Sequence, residues 1–168
     1  METVQTKNCL LNQQAIQQKL KRMALEVAEQ NIDEMELILA GINGNGEVVA
    51  RCLAKEIAAV HPFQIHLTTV QLNKKEPLDV SVKDPIDFYN KIIILIDDVA
   101  NTGKVLLYAL KPFLNAYPKK IQTLVLVERS HKLFPIQSDY TGLSLATTLQ
   151  EHIAVETEGD KITGAWLF

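Results

Sequence analysis

Ile92-Ile-Ile-Leu-Ile96 is apolar without interruption, and such a run predicts a strand covered on both faces, as in the middle of a parallel sheet. Ile121 to Val127 has the same character and predicts a second buried strand. Met35 to Ile42 predicts a third, while Phe63, Ile65, Leu67 and Thr69 alternate with polar neighbours, as in a strand wet on one side. Helical spacing links Ile16, Leu20, Met23, Ala24 and Val27, with Asn12 as N-cap and an end near Asn31. Val49, Leu53 and Ile57 form the apolar stripe of another helix, entered through the turn Gly41-Ile-Asn-Gly-Asn-Gly46. Val105, Leu106, Ala109, Leu110, Phe113 and Leu114 predict a third helix, kinked at Pro112 and stopped by Pro118. His152 to Glu156 and Lys161 to Phe168 predict strands joined around Glu158-Gly-Asp160. Residues 73–90 have the composition of a loop or loose hairpin, and long loops in compact domains often serve as lids. This order predicts one α/β domain over residues 1–168, with right-handed crossovers between mainly parallel strands.

Composition narrows the setting. No apolar stretch reaches the ~18–20 residues needed to span a bilayer, and the polar start Met1 to Lys7 lacks the apolar core of a signal peptide. The expectation is a cytoplasmic protein without membrane contact. Cys9 and Cys52 stand far apart without metal-ligand spacing, which predicts free thiols. A net charge of −3 argues against bulk electrostatic binding of nucleic acid and leaves small anionic ligands open. Lys19, Lys21 and Arg22 read as a solvated helix face, and His61 and His66 lack ligand spacing.

The chemistry concentrates after Ile96. Asp97 and Asp98 end the apolar run, and Val99, Ala100, Asn101, Thr102, Gly103 and Lys104 open a small polar loop before the next helix. In α/β sheets ligands bind beyond the carboxyl ends of the strands, and amide, hydroxyl and bare backbone N–H groups at a helix start suit a phosphate. A solvated strand end with a helix cap would carry the same two carboxylates, as would a magnesium-holding strand of a nucleoside triphosphatase. The phosphate loop of that last class fails here, because Asp98 stands where its first glycine belongs and Val105 follows Lys104. Gly41, Gly44 and Gly46 also miss the dinucleotide-binding spacing. A phosphorylated sugar fits best. Glu128-Arg-Ser-His131 ends the second buried strand on charge, which predicts a second polar cluster at the same sheet edge.

Ile93-Ile-Leu-Ile-Asp-Asp-Val-Ala-Asn-Thr-Gly-Lys104 resembles the signature of the type I phosphoribosyltransferases. The resemblance implies a twisted, mainly parallel sheet flanked by helices, with a small hood from the chain termini. It also implies transfer of ribose 5-phosphate from 5-phosphoribosyl 1-pyrophosphate (PRPP) to a nitrogenous base. Asp97 and Asp98 would face the ribose hydroxyls, and residues 99–104 would wrap the 5-phosphate. Magnesium would arrive with PRPP, with Asp97 or Asp98 reaching it through water. Ile42, Asn43, Gly44, Asn45 and Gly46 would form the pyrophosphate loop, and Lys74 and Lys75 would sit in the lid. Within the family the chain is similar to the bacterial pyrimidine operon regulators that double as uracil phosphoribosyltransferases. Leu11 to Ile16, Leu39 to Ile42 and above all Leu126 to Gly142 carry that likeness. It implies uracil as the base, UMP as product, Arg129 and His131 near the base or nucleotide, and Asp139, Tyr140 and Gly142 shaping the wall. A homodimer or larger homo-oligomer is implied as well. Asn45 stands where this group usually has Arg, Val105 where the wider family often has Thr, and Leu72-Asn-Lys-Lys75 replaces a Tyr-Arg lid pair. Gln137 replaces an Arg of the region associated with RNA in the regulators, which weakens the RNA inference more than the enzymatic one.

Overall fold

The computed structural model describes residues 6–148 and 150–168. The polar start from Met1 to Gln5 lies outside them. In chain order the elements are β1 (Asn8–Asn12), α1 (Gln13–Gln30), β2 (Glu36–Ile42), α2 (Asn45–Val60), β3 (Gln64–Gln71) and β4 (Ser81–Val82). They continue as β5 (Ile92–Ala100), α3 (Lys104–Ala109), α4 (Lys111–Leu114), β6 (Lys120–Arg129), β7 (Tyr140–Leu145), β8 (Ile153–Glu158) and β9 (Lys161–Leu167). A six-stranded sheet has the order β4-β3-β2-β5-β6-β7, parallel throughout except for β4.

β5 lies inside this sheet, and its uninterrupted apolar run has the expected cause. Ile92, Ile94 and Ile96 pack with α1 and α2 on one face, while Ile93 and Leu95 join Ile38, Val70 and Phe113 on the other. The predicted N-cap is present, with Ala15 N–H donating to Asn12 Oδ1 at 2.8 Å. Arg22 departs from the solvated face expected of it. Its guanidinium donates to the Thr141 and Gly142 carbonyls at 3.0 and 2.9 Å, and so ties α1 to β7. The β3 pattern is also corrected: Leu67 is exposed, while Thr68 and Val70 are buried. Residues 81–88 return over that face, with Thr68 Oγ1 donating to Asp84 Oδ2 and Phe88 packing in the cluster that holds Val70.

The third predicted helix is two short ones. The break falls at Leu110, just before Pro112 in the first turn of α4, where a residue without N–H is tolerated. The predicted terminal strands form the hood, a three-stranded antiparallel sheet of order β1-β9-β8. β1, from the other end of the chain, pairs with β9, as the expected hood from both termini requires, although neither β1 nor β7 was expected as a strand.

Candidate active site

β5 does not stop at Ile96. Its ladder with β6 continues through Ala100 opposite Glu128, so Asp97 and Asp98 are strand residues rather than the start of the loop. Asp97 is 2% exposed, beneath the first turn of α2. Gly46 permits that approach: a Cβ there would lie 2.9 Å from Ile96 O and 3.1 Å from Asp97 Oδ1. Asp97 Oδ1 accepts from Asp98 N–H at 2.9 Å, and Asp98 Oδ1 accepts from Val99 N–H at 2.8 Å.

Lys74 arrives from the segment after β3 and points its ammonium at this pair. Its Nζ is 3.3 Å from Asp97 Oδ1 and 3.9 Å from Asp98 Oδ1. Burial, and then the adjacent Asp98 charge, push the Asp97 carboxyl up to about 8 against the pull of Lys74. Lys75 is exposed beside it, its N–H on Asn73 Oδ1 at 3.0 Å.

Past Ala100 the chain turns through Asn101, Thr102 and Gly103. Gly103 has φ +84°, and a Cβ there would press on Ile136 at 2.8 Å, so both backbone conformation and space demand glycine. The loop is braced from behind, where the Thr102 carbonyl accepts from the N–H groups of Leu133 and Phe134 at 3.0 and 3.1 Å. Thr102 Oγ1 accepts from Lys104 N–H at 3.3 Å. Opposite stand His152, Ile153, Ala154 and Val155 of the hood segment, enclosing a cleft of about 430 Å³ over Asp97 and Asp98. That volume suits one small molecule.

The loop between β2 and α2 contributes less than expected. Ile42 is buried in the core, Asn43 Oδ1 accepts from Leu72 N–H at 3.1 Å, and Gly44 is exposed with φ +91°. Asn45 alone of the five lines the cleft. Its Nδ2 donates to Asp98 Oδ2 at 3.1 Å and to the Val155 carbonyl at 2.8 Å, and its Oδ1 accepts from Thr157 Oγ1 at 3.1 Å.

The Phosphoribosyl transferase domain family matches residues 7–159, a span that holds the paired carboxylates, the glycine-hinged loop and most of the hood. The chain belongs to this family. It is 32% identical over 167 residues to the Bifunctional protein PyrR of Bacillus cereus (strain AH820), covering 92% of this chain and 93% of the relative. The same protein of Bacillus thuringiensis subsp. konkukian (strain 97-27) matches with equal identity and coverage. Among solved structures, the hypoxanthine phosphoribosyltransferase of Trypanosoma cruzi superposes with a TM-score of 0.79 at 12% identity, over 94% of this chain and 95% of that one. A hypoxanthine-guanine phosphoribosyltransferase of Bacillus anthracis gives 0.76 at 16% identity, over 94% and 96%. These likenesses establish the phosphoribosyltransferase fold.

In this member of the family, Arg129 is a strut beside the cleft. Nε donates to Asn101 Oδ1 at 3.0 Å, one terminal nitrogen to Thr148 O at 3.2 Å and the other to Glu151 O. The side chain thus joins the end of β6, the turn 101–103 and the approach to the hood. His131 is exposed and is not among the cleft-lining residues. Asp139, Tyr140 and Gly142 do not shape the wall. After His131 the chain runs back to start β7 parallel to β6, with Tyr140 opposite Leu124 near the middle of the strand and away from the charged end. Asp139 there accepts from Thr123 N–H at 2.8 Å. Glu128, the expected charged end of β6, is buried against Lys132 at 2.5 Å. Burial opposes its charge, but Lys132 and the Ser138 N–H hold its carboxyl below the usual range. The hood residues of the wall were missed because their strand pattern says nothing of which distant segment they face. Among the described residues no three His, Cys, Asp or Glu side chains gather as a metal site.

Proposed function

We propose that the protein transfers ribose 5-phosphate from PRPP to a nucleobase, with uracil the first base to test. The observation that carries this reading is the juxtaposition in one cleft of Asp98, the loop 101–104 and the hood wall 152–155. The reaction breaks the bond between ribose C1 and the diphosphate oxygen, forms one from C1 to a base nitrogen, and releases the proton of that nitrogen. Positive charge develops on the sugar as diphosphate departs, and the Asp98 carboxylate beneath it stabilises that charge. Backbone N–H groups at 101–104 and the Thr102 hydroxyl hold the 5-phosphate. Lys74, released from Asp97, follows the diphosphate charge.

Magnesium fits this donor set only as a passenger of the substrate. Two carboxylates are too few for a protein-held site among the described residues, and Mg²⁺ commonly takes one or two carboxylates plus substrate phosphates. Bound with the substrate, it would supply charge that neutralises the leaving diphosphate, and Asp97 or Asp98 would hold it through water. Uracil and UMP rest on the likeness of residues 126–142 to the pyrimidine regulators, and a homo-oligomeric, cytoplasmic protein is proposed on the same likeness. Among the described residues no helix is long and apolar enough to cross a membrane.

The test supplies purified protein with PRPP, magnesium and a panel of bases, and separates the nucleotides formed. UMP from uracil is expected, with Asp98→Asn slower by roughly 10²-fold. No nucleotide from any base, or Asp98→Asn equal to the parent, overturns the transferase reading.

A second reading, a nucleotide-binding member without turnover, draws on Lys74 and Asn45, which fill the carboxylate pair with the protein's own donors. Thermal stabilisation by PRPP or UMP without product would favour it. A third, a UMP-responsive RNA-binding regulator, draws on the bifunctional relatives, and failure to retain pyrimidine-leader RNA in a gel, with or without UMP, would remove it.

A further inference from the structure

The Asn45 carboxamide is a junction of three segments distant in sequence: the first turn of α2, the carboxylate of Asp98 on β5, and β8 of the hood. Its orientation is fixed by chemistry. A carboxylate oxygen and a backbone carbonyl only accept, so both Nδ2 hydrogens belong on Asp98 and Val155, and the Thr157 hydroxyl donates to Oδ1. Both of the amide's hydrogens are then committed, which leaves the Asn45 side chain no donor for a ligand.

A second observation lies in the hood. The β8–β9 ladder slips beside Thr157: Glu156 faces Gly164, but Thr157 faces Ile162, so Thr163 is the extra residue. The Thr163 hydroxyl donates to Glu156 O at 3.1 Å and secures the irregularity. Bulges re-aim neighbouring side chains and are frequent beside active sites. This one falls where β8 must hand both the Val155 carbonyl and the Thr157 hydroxyl to a single side chain outside the sheet.

We propose that Thr157, Asn45 and Asp98 form a latch that couples the hood to the reacting carboxylate. Thr157 is a positioning residue that sets Asp98 through Asn45. The inference rests on the transferase reading for its kinetic consequence but not for its structural one. The latch holds Asp98 Oδ2 on the amide while Oδ1 accepts from Val99 N–H, so the carboxylate is fixed at both oxygens beside the cleft. The side chain at position 45 thereby orients a carboxylate rather than gripping a diphosphate.

The test compares Thr157→Val, which keeps the shape and removes the hydroxyl, with Thr157→Ser, which keeps the hydroxyl. Amide hydrogen exchange over residues 153–158 reads the latch without turnover. Thr157→Val should speed exchange there about tenfold, the scale of one lost hydrogen bond, with Thr157→Ser like the parent. In an active parent, Thr157→Val should lower kcat several-fold with KM for PRPP within about twofold, and Thr157→Ser should restore it. Asn45→Asp, which sets a carboxylate against Asp98 and the Val155 carbonyl, should accelerate exchange further and serves as the second variant. Exchange in Thr157→Val equal to the parent overturns the latch, whatever the protein catalyses. Faster exchange with kcat unchanged in an active parent overturns the positioning role. If the parent converts no base, the exchange arm alone decides the latch.

Discussion

Asp97 shows how far a residue's neighbours can move its chemistry. Its carboxyl titrates near 3.8 unfolded and is pushed up to about 8 in the fold. The folded state therefore binds a proton that the unfolded state has lost throughout that window, and stability falls as pH rises across it. Thermal melts should show Tm declining from pH 5 to pH 9, and Asp97→Asn should flatten that slope and raise Tm at pH 9. The amide keeps the oxygen that accepts from Asp98 N–H and removes the buried charge. A slope unchanged by the substitution would refute the assignment. Glu128 is the opposite case, a buried carboxylate kept charged by Lys132. Lys132→Met should leave it unpaired and cost about 3 kcal/mol in chemical denaturation; a loss under 1 kcal/mol would mean the pair contributes little. The carboxylates and the loop to Lys104 could be read from the sequence because their meaning is local. Arg129 stood out for the same reason, but its partners at Thr148 and Glu151 belong to another segment, and no spacing announces them.

Among the elements, β2, β5, β6 and the first two helices could be read because burial on one or two faces writes a period into the chain. β5 carries the clearest such signal and also the floor of the cleft. Ile94→Ala should cost 2–5 kcal/mol, the usual range of about that size for emptying a buried aliphatic site, measured as a lower urea midpoint with an unchanged slope. A midpoint within error of the parent would show that the site can collapse. β7 escaped detection because Tyr140-Thr-Gly-Leu-Ser-Leu145 is an edge strand of mixed composition. Its anchor is Tyr140, whose hydroxyl donates to Gln122 Oε1 at 2.7 Å and whose pKa burial pushes up to about 12. Leu67 misled the reading of β3 because periodicity gives two faces without saying which the hairpin covers. The helix break before Pro112 was legible in kind, since a missing N–H has only one effect on a helix interior.

At the scale of the molecule, the two ends of the chain meet in the hood, where β1 pairs with β9. Strand patterns gave β8 and β9, but the β1–β9 pairing that completes the hood joins residues more than a hundred positions apart and leaves no local trace. The same distance hides the junction of Asn45 with Val155 and Thr157. What the sequence did carry was the carboxylate pair and the polar turn after it, concentrated in one strand and one loop, whereas the wall facing them comes from the hood. The central claim is that this cleft moves a ribose phosphate from diphosphate to a base. Phosphorus NMR of the protein with PRPP, magnesium and uracil follows that transfer directly. The account predicts free diphosphate and a nucleotide phosphomonoester growing together as PRPP disappears, and growth that depends on uracil. PRPP lost only at the rate of a protein-free control would contradict it.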